Sequence, residues 1–127
     1  MHRSRLYGVF VDSPRAEADA TVSFWSAALG VTPERPADDE YTVLPGAAGH
    51  ELAFEVQAVD DAPRYHLDIE TDDVAAEVAR LTALGAKEEA RHDGWTILRA
   101  PGGHLLCVVP VQSDRPFFYR HARTFDS

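Results

Sequence analysis

The stretch "YTVLPGAAGHEL" at residues 41–52 recurs 54 residues later as "WTILRAPGGHLL" at residues 95–106. The two copies align without a gap, which places the Gly-His pair at 49–50 on the pair at 103–104. Upstream of each copy lies a segment with a Leu-Gly pair near its end, and the two segments are "FWSAALG" at 24–30 and "RLTALGA" at 80–86. Matches in the same order at nearly the same spacing indicate that the chain contains two copies of one structural module.

Each copy has the pattern of a strand, then a helix, then several further strands. In the second copy, apolar residues recur at i, i+4 and i+7 from Val74, which is the spacing of one helix face. Asp72 or Asp73 is suited to cap the start of this helix, and Gly85 to end it in the left-handed conformation. In the first copy, Gly30 is the corresponding stop.

The pattern predicts an α+β fold in which two tandem βαβββ modules form a curved, cup-like mixed sheet. We expect a single domain over residues 1–127, with module one at about 5–58, module two at about 64–111 and a C-terminal tail at 112–127. Three consecutive aromatic residues of the tail, at 117–119, are too apolar to be left in water without a reason. They are expected to pack on the sheet or on a second subunit, with a lid over the cup as the second alternative.

Composition limits the classes of function. The 127 residues are 45% apolar and carry a net charge of -9, which argues against nucleic acid as a partner and is compatible with a neutral or cationic small ligand. The single cysteine, Cys107, excludes an internal disulfide framework. Since no apolar run has the length of a membrane span and no cleavable signal is visible, no membrane role is expected and cytoplasm is the simplest location.

With "SFWSAALG", "RYHLDIETDDVAAEVARLTALGA" and "WTILRAPGGHLLCVV" in view, the sequence resembles the vicinal oxygen chelate superfamily, the glyoxalase/bleomycin-resistance group, and within it the small bacterial glyoxalase-like domains. The resemblance covers about residues 5–111. It implies paired βαβββ modules, an open cup and commonly a homodimer. In the enzymes of this superfamily it also implies a divalent metal, bound by His or Gln on the first strand and Glu on the last strand of each module.

Carried over by position, this ligand set is incomplete here. His66 lies at the first-strand position of the second module, but its counterpart in the first module is Gly8, which has no ligand atom. The last-strand position of the second module is Cys107, and the gapless offset makes Ala53 its counterpart. A register shift of two would bring Glu55 into that place instead, so a divalent metal stays possible although no cofactor is expected.

His66 is the strongest candidate for a functional residue. In "YHLDIETDD", at 65–73, strand alternation puts it on one face with Asp68, one alternation further along. The alternatives for His66 are contact with a ligand in the cup, a structural role in the wall, and metal ligation. For Cys107, within an apolar run, a plain wall residue is favoured over a catalytic thiol. Alternation predicts the following set of ligand-binding residues: Phe10, Glu55, His66, Asp68, Trp95 and Cys107.

Three classes of function follow, of which the third is a non-catalytic domain that mainly serves assembly. The first is a metal-independent domain that binds a small organic molecule in the cup, such as a toxic or antibiotic-like compound, as a homodimer. The alternative is a lyase, isomerase or dioxygenase with an altered metal or acid–base site. In its metal-free version, His66 would be the catalytic proton carrier, and Asp68 or Glu55 would set its pKa. Arg64 and Arg99 are candidates to hold an anionic group.

Overall fold

The computed structural model describes residues 1–35 and 40–127, and within these residues it shows an α+β fold. In this described part of the chain, three α-helices accompany eight strands, which belong to an open, mixed sheet that does not close. No helix of the described part is long and apolar enough to cross a membrane. The elements in chain order are β1 (His2–Pro14), a 3-10 turn (Arg15–Glu17), α1 (Ala18–Leu29), β2 (Tyr41–Val43), β3 (Ala53–Val59), β4 (Arg64–Thr71), α2 (Val74–Ala83), β5 (Lys87–His92), β6 (Trp95–Arg99), β7 (Leu105–Pro110), α3 (Arg115–His121) and β8 (Arg123–Phe125).

The chain divides into two compact units, each of which is described by itself. The first unit comprises residues 8–66, and the second unit comprises residues 1–7 and 67–127. Strands β1 and β4 contribute residues to both units.

In the first unit, β3 lies between β1, to which it is parallel, and β2, to which it is antiparallel. Helix α1 packs on one face of these strands and buries Val22 in a cluster with Val11, Leu44 and Val56. The helix ends at Gly30, whose φ of 71° is the left-handed conformation expected of a C-terminal glycine. Before β2, the described residues contain a bridge between Glu34 and Val43.

Gly8 allows β1 and β3 to approach each other closely. It is paired with Ala53, and a Cβ at residue 8 would lie 2.7 Å from the Ala53 carbonyl oxygen. Since the neighbouring atom is backbone, no side chain fits at this position without a shift of the strand pair.

In the second unit, β4 is parallel to β7, and β7, β6 and β5 follow as antiparallel neighbours. Helix α2 contributes Val78 to the core of this unit, with Leu98 and Val108. Of the two predicted caps, Asp72 and Asp73, the structure uses Asp73, whose carboxylate accepts a hydrogen bond from the Ala76 N–H at 3.0 Å. Both hairpin turns of the repeat carry the expected glycine with positive φ, and the histidine that follows each of them is exposed.

The registers of the two hairpins show that the gapless alignment of the repeat fails in the last strand. Thr42 pairs with Val56 in the first unit, and its counterpart Thr96 pairs with Val108 in the second unit. Val56 and Val108 are 52 positions apart, so the offset in this strand is two residues smaller than the 54 of the preceding strand.

The prediction that Ala53 corresponds to Cys107 is therefore wrong, and the counterpart of Cys107 is Glu55. The cause is local. Strand β7 starts directly after the turn histidine, whereas two residues, Glu51 and Leu52, separate the turn from the start of β3. The alternative alignment, in which a register shift of two residues brings Glu55 to this position, agrees with the structure.

The tail forms a helix, α3, which the sequence pattern did not predict. Asp114 caps its start by accepting from the Phe117 N–H at 3.1 Å, and Phe118 is fully buried in the second unit. After the helix, β8 pairs antiparallel with residues 2–4 of β1. Phe118 thus packs within its own chain, which is one of the roles expected for the tail.

Candidate functional site

One face of the first unit's strands carries polar and aromatic side chains that helix α1 does not contact. Alternation along β1 places Gly8, Phe10 and Asp12 on this face, whereas Val11 points to the helix side. On β3, Glu55 lies opposite Phe10 in the parallel pair. Phe10, Asp12 and Glu55 are all buried.

His66, at the end of the first unit's segment of β4, is held by Asp12. Its Nδ1 lies 2.9 Å from each oxygen of the Asp12 carboxylate, and both side chains are buried, at 7% and 1% exposure. An ionised carboxylate has only acceptors, so Nδ1 is the nitrogen that carries a proton and donates. Any hydrogen bond or coordinate bond between His66 and a ligand is consequently made by Nε2.

Phe10 fixes the plane of the imidazole. The two rings are stacked, with centroids 4.7 Å apart and an interplanar angle of 9°. Tyr41 of β2 meets Phe10 edge to face at 6.2 Å. His66 is thus restrained at one edge by a carboxylate and on one face by an aromatic ring, which leaves little rotational freedom.

Arg64 completes the cluster around Asp12. Its Nε donates to Asp12 at 2.8 Å, and a terminal nitrogen donates to Asp61 at 2.8 Å. The hydrogen bond to Asp12 raises the pKa of the Arg64 guanidinium further above its usual value, although burial opposes this. Because the guanidinium already binds two carboxylates, it acts here as a counter-ion for Asp12 and is poorly suited to hold an anionic ligand.

The four positions that correspond to the superfamily's metal ligands hold glycine, glutamate, histidine and cysteine. Gly8 has no side chain that could coordinate a metal. A Cβ at this position would lie 2.7 Å from the Ala53 carbonyl oxygen, so a larger side chain has no room. Cys107 replaces an acid with a softer sulfur ligand. Glu55 is a carboxylate at the expected place. These residues do not reproduce the His/Gln and Glu pair of each module, so they do not fit the four-ligand site that the resemblance implies.

The remaining predicted site residues lie in the second unit. Asp68 of β4 is paired with Cys107 of β7, and its carboxylate lies within 4.8 Å of the thiol sulfur. Trp95 lies at the hairpin between β5 and β6, where its ring stacks on His92 at 4.2 Å. The second unit therefore brings Asp68 and Cys107 together, whereas the described contact of Trp95 is with a hairpin residue.

The second unit also buries two carboxylates completely. Burial raises the pKa of Glu77, but hydrogen bonds from Arg80, His2 and Ser4 outweigh this and lower it from 4.5 to about 2. The Nε2 of His2 lies 2.7 Å from Glu77, and its Nδ1 lies 2.7 Å from the hydroxyl of Ser127. These bonds connect both ends of the chain to helix α2.

Glu70 is the second of these carboxylates. It accepts hydrogen bonds from the Ser113 hydroxyl at 2.5 Å, from the N–H groups of Ser113 and Gln112, and from Arg5 at 2.6 Å. Burial raises its pKa, but these donors together hold it below the usual range. Glu70 fixes the loop that leads into α3, which is a structural role.

Asp12 is the site residue that the sequence reasoning missed. The signal was present, since alternation along "YGVFVD", at 7–12, places Asp12 on the face of Phe10 and makes it the one acid of this short stretch. Its partner His66 is 54 residues away in the chain, and nothing local connects the two.

Comparisons with known proteins agree with this architecture. A family model described as a glyoxalase-like domain matches residues 8–109. A comparison with curated proteins gives no match. Among solved structures, the chain is similar to the Mn(II)-bound glyoxalase from Novosphingobium aromaticivorans, with 20% sequence identity and a TM-score of 0.58 over 87% of this chain and 40% of that chain.

Two further solved structures have the same fold at low identity. A methylmalonyl-CoA epimerase from Streptomyces coelicolor, in complex with 2-nitronate-propionyl-CoA, is 18% identical, with a TM-score of 0.53 over 86% of this chain and 95% of that chain. Homoprotocatechuate 2,3-dioxygenase from Brevibacterium fuscum, in complex with 3,4-dihydroxyphenylacetate, is 16% identical, with a TM-score of 0.51 over 84% of this chain and 36% of that chain. The chain thus spans less than half of the glyoxalase and the dioxygenase and nearly all of the epimerase.

These likenesses concern the fold, whereas the family follows from the sequence match. Because the family model matches residues 8–109, well over half of the chain, the chain belongs to the glyoxalase-like domain family.

Proposed function

We propose that this glyoxalase-like domain binds a small organic molecule beside His66 without a metal ion. The observation that carries the proposal is the buried pair of Asp12 and His66 on the face of the first unit that helix α1 does not cover. Removing two ionisable groups from water is costly, and the apolar core of this unit is complete without them. Oriented polar groups next to aromatic side chains are the usual composition of a small-molecule site.

Fold relatives support a small organic ligand. The epimerase and dioxygenase structures carry a coenzyme A derivative and a dihydroxyphenyl acid, respectively. The net charge of -9 and the buried acids Asp12 and Glu55 favour a neutral or cationic guest over an anion. A toxic or antibiotic-like compound that the protein sequesters has this character.

The test is a thermal-shift screen of untreated protein and of protein dialysed against a chelator. We expect at least one neutral or cationic compound to raise the melting temperature equally in both samples, because a ligand at 100 times its Kd adds about 2.7 kcal/mol to the native state. The response should disappear in His66→Ala and persist in His104→Ala, which removes an exposed turn histidine. A response that needs an added metal, or that survives in His66→Ala, would contradict the proposal.

The same variants distinguish an enzyme reaction from binding alone. If a compound found in the screen is converted to product, and His66→Ala stops the turnover while the protein still folds, binding is a step of an enzyme reaction and not the whole function. Elemental analysis of protein purified without chelator checks the metal directly. A divalent metal near one per chain would favour the metal-dependent lyase, isomerase or dioxygenase instead.

We also propose that the protein works as a homodimer, as the resemblance implies. Sedimentation equilibrium of the full chain tests this separately from ligand binding. A mass of one chain, 14.0 kDa, at every concentration would contradict it.

A further inference from the structure

We infer that the homodimer forms through opposite charges: an arginine surface of the second unit binds an acidic surface on the first unit of another copy. This inference rests on the proposed homodimer and adds the surfaces that form it. The charge of the chain is divided unevenly between its units. Residues 8–66 contain 11 acids and 3 bases, a net charge of -8, whereas residues 1–7 and 67–127 contain 10 acids and 9 bases, a net charge of -1.

The bases of the two units differ in their partners. Every base of the first unit is paired with an acid of that unit, and these bases are Arg15, Arg35 and Arg64. Four arginines of the second unit are paired in the same way, namely Arg5, Arg80, Arg91 and Arg99. The described residues provide no ion pair for the other five bases of the second unit, which are Arg3, Lys87, Arg115, Arg120 and Arg123.

Three of these five bases lie at the tail helix, α3. The guanidinium of Arg3 lies 5.1 Å from the centre of the Tyr119 ring, and that of Arg120 lies 6.0 Å from the centre of the Phe117 ring. Arg115 precedes Tyr119 by four residues and shares its side of the helix. We call Arg3, Arg115 and Arg120 the arginine surface. A guanidinium that contacts an aromatic ring still presents N–H groups in its own plane to a carboxylate.

The acidic surface of the first unit surrounds Arg15, before helix α1. Asp60, whose side chain is 85% exposed, pairs with Arg15 at 3.1 Å, and Glu17 belongs to the same 3-10 turn as Arg15. The hydrogen bond to Asp60, and to a smaller extent the charge of Glu40, raise the pKa of the Arg15 guanidinium above its usual value. We call Glu17, Glu40 and Asp60 the acidic surface. One base among three acids leaves negative charge that attracts a further cation.

A second copy of the chain fits the arginine surface better than other anionic partners do. Nucleic acid or an anionic membrane would attract the arginine surface but repel the first unit, because that unit carries a net charge of -8. A second copy presents acids to the arginine surface, and its own arginine surface binds the acids of the first copy in return. A two-fold pair therefore forms this contact twice.

The sign of the salt dependence tests the inference. Two chains of net charge -9 repel each other, so salt would strengthen a dimer that is held by uncharged surfaces. Opposite charges at the interface give the reverse result, because salt then screens their attraction. We expect sedimentation equilibrium of the full chain to give a dissociation constant at least about 10-fold larger in about 0.5 M than in about 0.05 M sodium chloride.

Charge reversal locates the arginine surface. Arg115→Glu should weaken the dimer at least about 10-fold in low salt, because it places like charges opposite each other. The variant is expected to fold, since Arg115 is the first residue of α3 and an acid is favourable there. Lys87→Glu is the matched control: it makes the same change of charge at another exposed base of the second unit and should change the dissociation constant by less than about threefold.

A variant of the acidic surface has the opposite effect on the net charge. Glu17→Lys makes each chain less negative, so it would strengthen an association that is limited only by repulsion between the chains. If the acidic surface binds the arginine surface, Glu17→Lys should instead weaken the dimer at least about fivefold in low salt. A tighter dimer in this variant would contradict the inference.

The outcomes separate this inference from the homodimer itself. A dimer that becomes tighter with salt, or that is unaffected by both Arg115→Glu and the second variant Arg120→Glu, overturns the inference and leaves the homodimer in place. A monomer at every concentration in low salt overturns both. Cosedimentation with phosphatidylserine vesicles checks the other kind of partner. Binding of a monomeric chain to these vesicles that Arg115→Glu abolishes would assign the arginine surface to a lipid membrane and overturn the inference.

Discussion

Asp12 in the first unit and Glu77 in the second unit are both buried carboxylates that bind a histidine, and they differ in the role of that histidine. Glu77 binds His2 through Nε2, and the Nδ1 of His2 lies 2.7 Å from the hydroxyl of Ser127, so both ring nitrogens have a partner within the protein. Asp12 binds His66 through Nδ1, in a ring that is stacked on Phe10.

The position of each cluster in the chain explains the difference. Residues 2 and 127 lie outside the matched family region, 8–109, so the Glu77 cluster attaches terminal segments to helix α2. Asp12 and His66 lie inside that region, on β1 and β4, the strands to which the resemblance assigns the first metal ligand of each module. A buried carboxylate is structural when it gathers several donors from the fold, and it is a candidate for function when it orients a ligand-binding group.

Glu77→Gln is expected to cause the largest loss of stability. The amide keeps the shape but removes the negative charge that faces Arg80, Ser4 and His2, and breaking one partner of a buried ion pair costs about 3–5 kcal/mol. Urea unfolding at neutral pH measures the loss. Glu88→Gln, in a partly exposed pair with Arg91, is the control and should change the free energy of unfolding by less than about 1 kcal/mol. If Glu77→Gln and Glu88→Gln lost the same free energy of unfolding, the buried Glu77 cluster would have no special structural role.

Acid should destabilise the wild type through the same group. The pKa of Glu77 is about 2 in the fold and has its ordinary value of 4.5 when unfolded, so its contribution is complete above pH 4.5 and is lost as the pH falls toward 2. The difference corresponds to about 3 kcal/mol, and Glu70 adds to it in the same direction. Urea unfolding at pH 7 and pH 3 checks this. The pH dependence should be clearly weaker in Glu77→Gln, and an unchanged dependence would contradict the assignment.

Gly8→Ala tests the packing behind the first unit's cluster. The added Cβ meets the Ala53 carbonyl oxygen at 2.7 Å, so the strands must separate, and overpacking of this kind costs about 1–3 kcal/mol. Thermal unfolding measures the change. The double variant with Ala53→Gly removes the side chain but not the carbonyl, so it should not restore stability. Full rescue would show that the side-chain contact alone excludes larger residues.

Asp12→Asn should destabilise the fold less than Glu77→Gln does. The Arg64 guanidinium is partly exposed, at 37%, and gains water when the charge of Asp12 is removed, so we expect a loss of about 1–2 kcal/mol in urea unfolding. Ligand binding should be affected far more than stability. A loss as large as that of Glu77→Gln would indicate that the Asp12 cluster is mainly structural.

Ser113→Ala should have the smallest effect. It removes one donor to Glu70 and leaves the two backbone N–H groups and Arg5 in place, so the expected loss is about 1 kcal/mol. Ser26→Ala, at a half-buried helix position whose hydroxyl donates only to the Ser23 carbonyl, is the matched control and should change the midpoint of urea unfolding very little. No difference between these two variants would show that Glu70 does not depend on the hydroxyl.

The sequence predicted the fold well where local signals are strong. The duplicated hairpins, the helix end at Gly30 and the cap at Asp72 or Asp73 follow from spacing and residue type, and the resemblance implies the family that the sequence match shows. The alignment of Ala53 with Cys107 failed because a two-residue difference after the turn has no signature in the apolar pattern of the strand. Helix α3 was missed because its aromatic residues lack a helical period over so short a segment.

Of the candidate site, the sequence by itself determined which residues alternate on one strand, and hence that Phe10 and His66 are placed to line a face. Only the tertiary structure decided that Asp12 holds His66 across 54 residues, that Glu55 takes the place opposite Phe10, and that His2 and Ser127 meet near Glu77. The physical reason is that periodicity reports the environment of a side chain, whereas its partner is set by strand register and chain reversal, which bring distant residues within 3 Å.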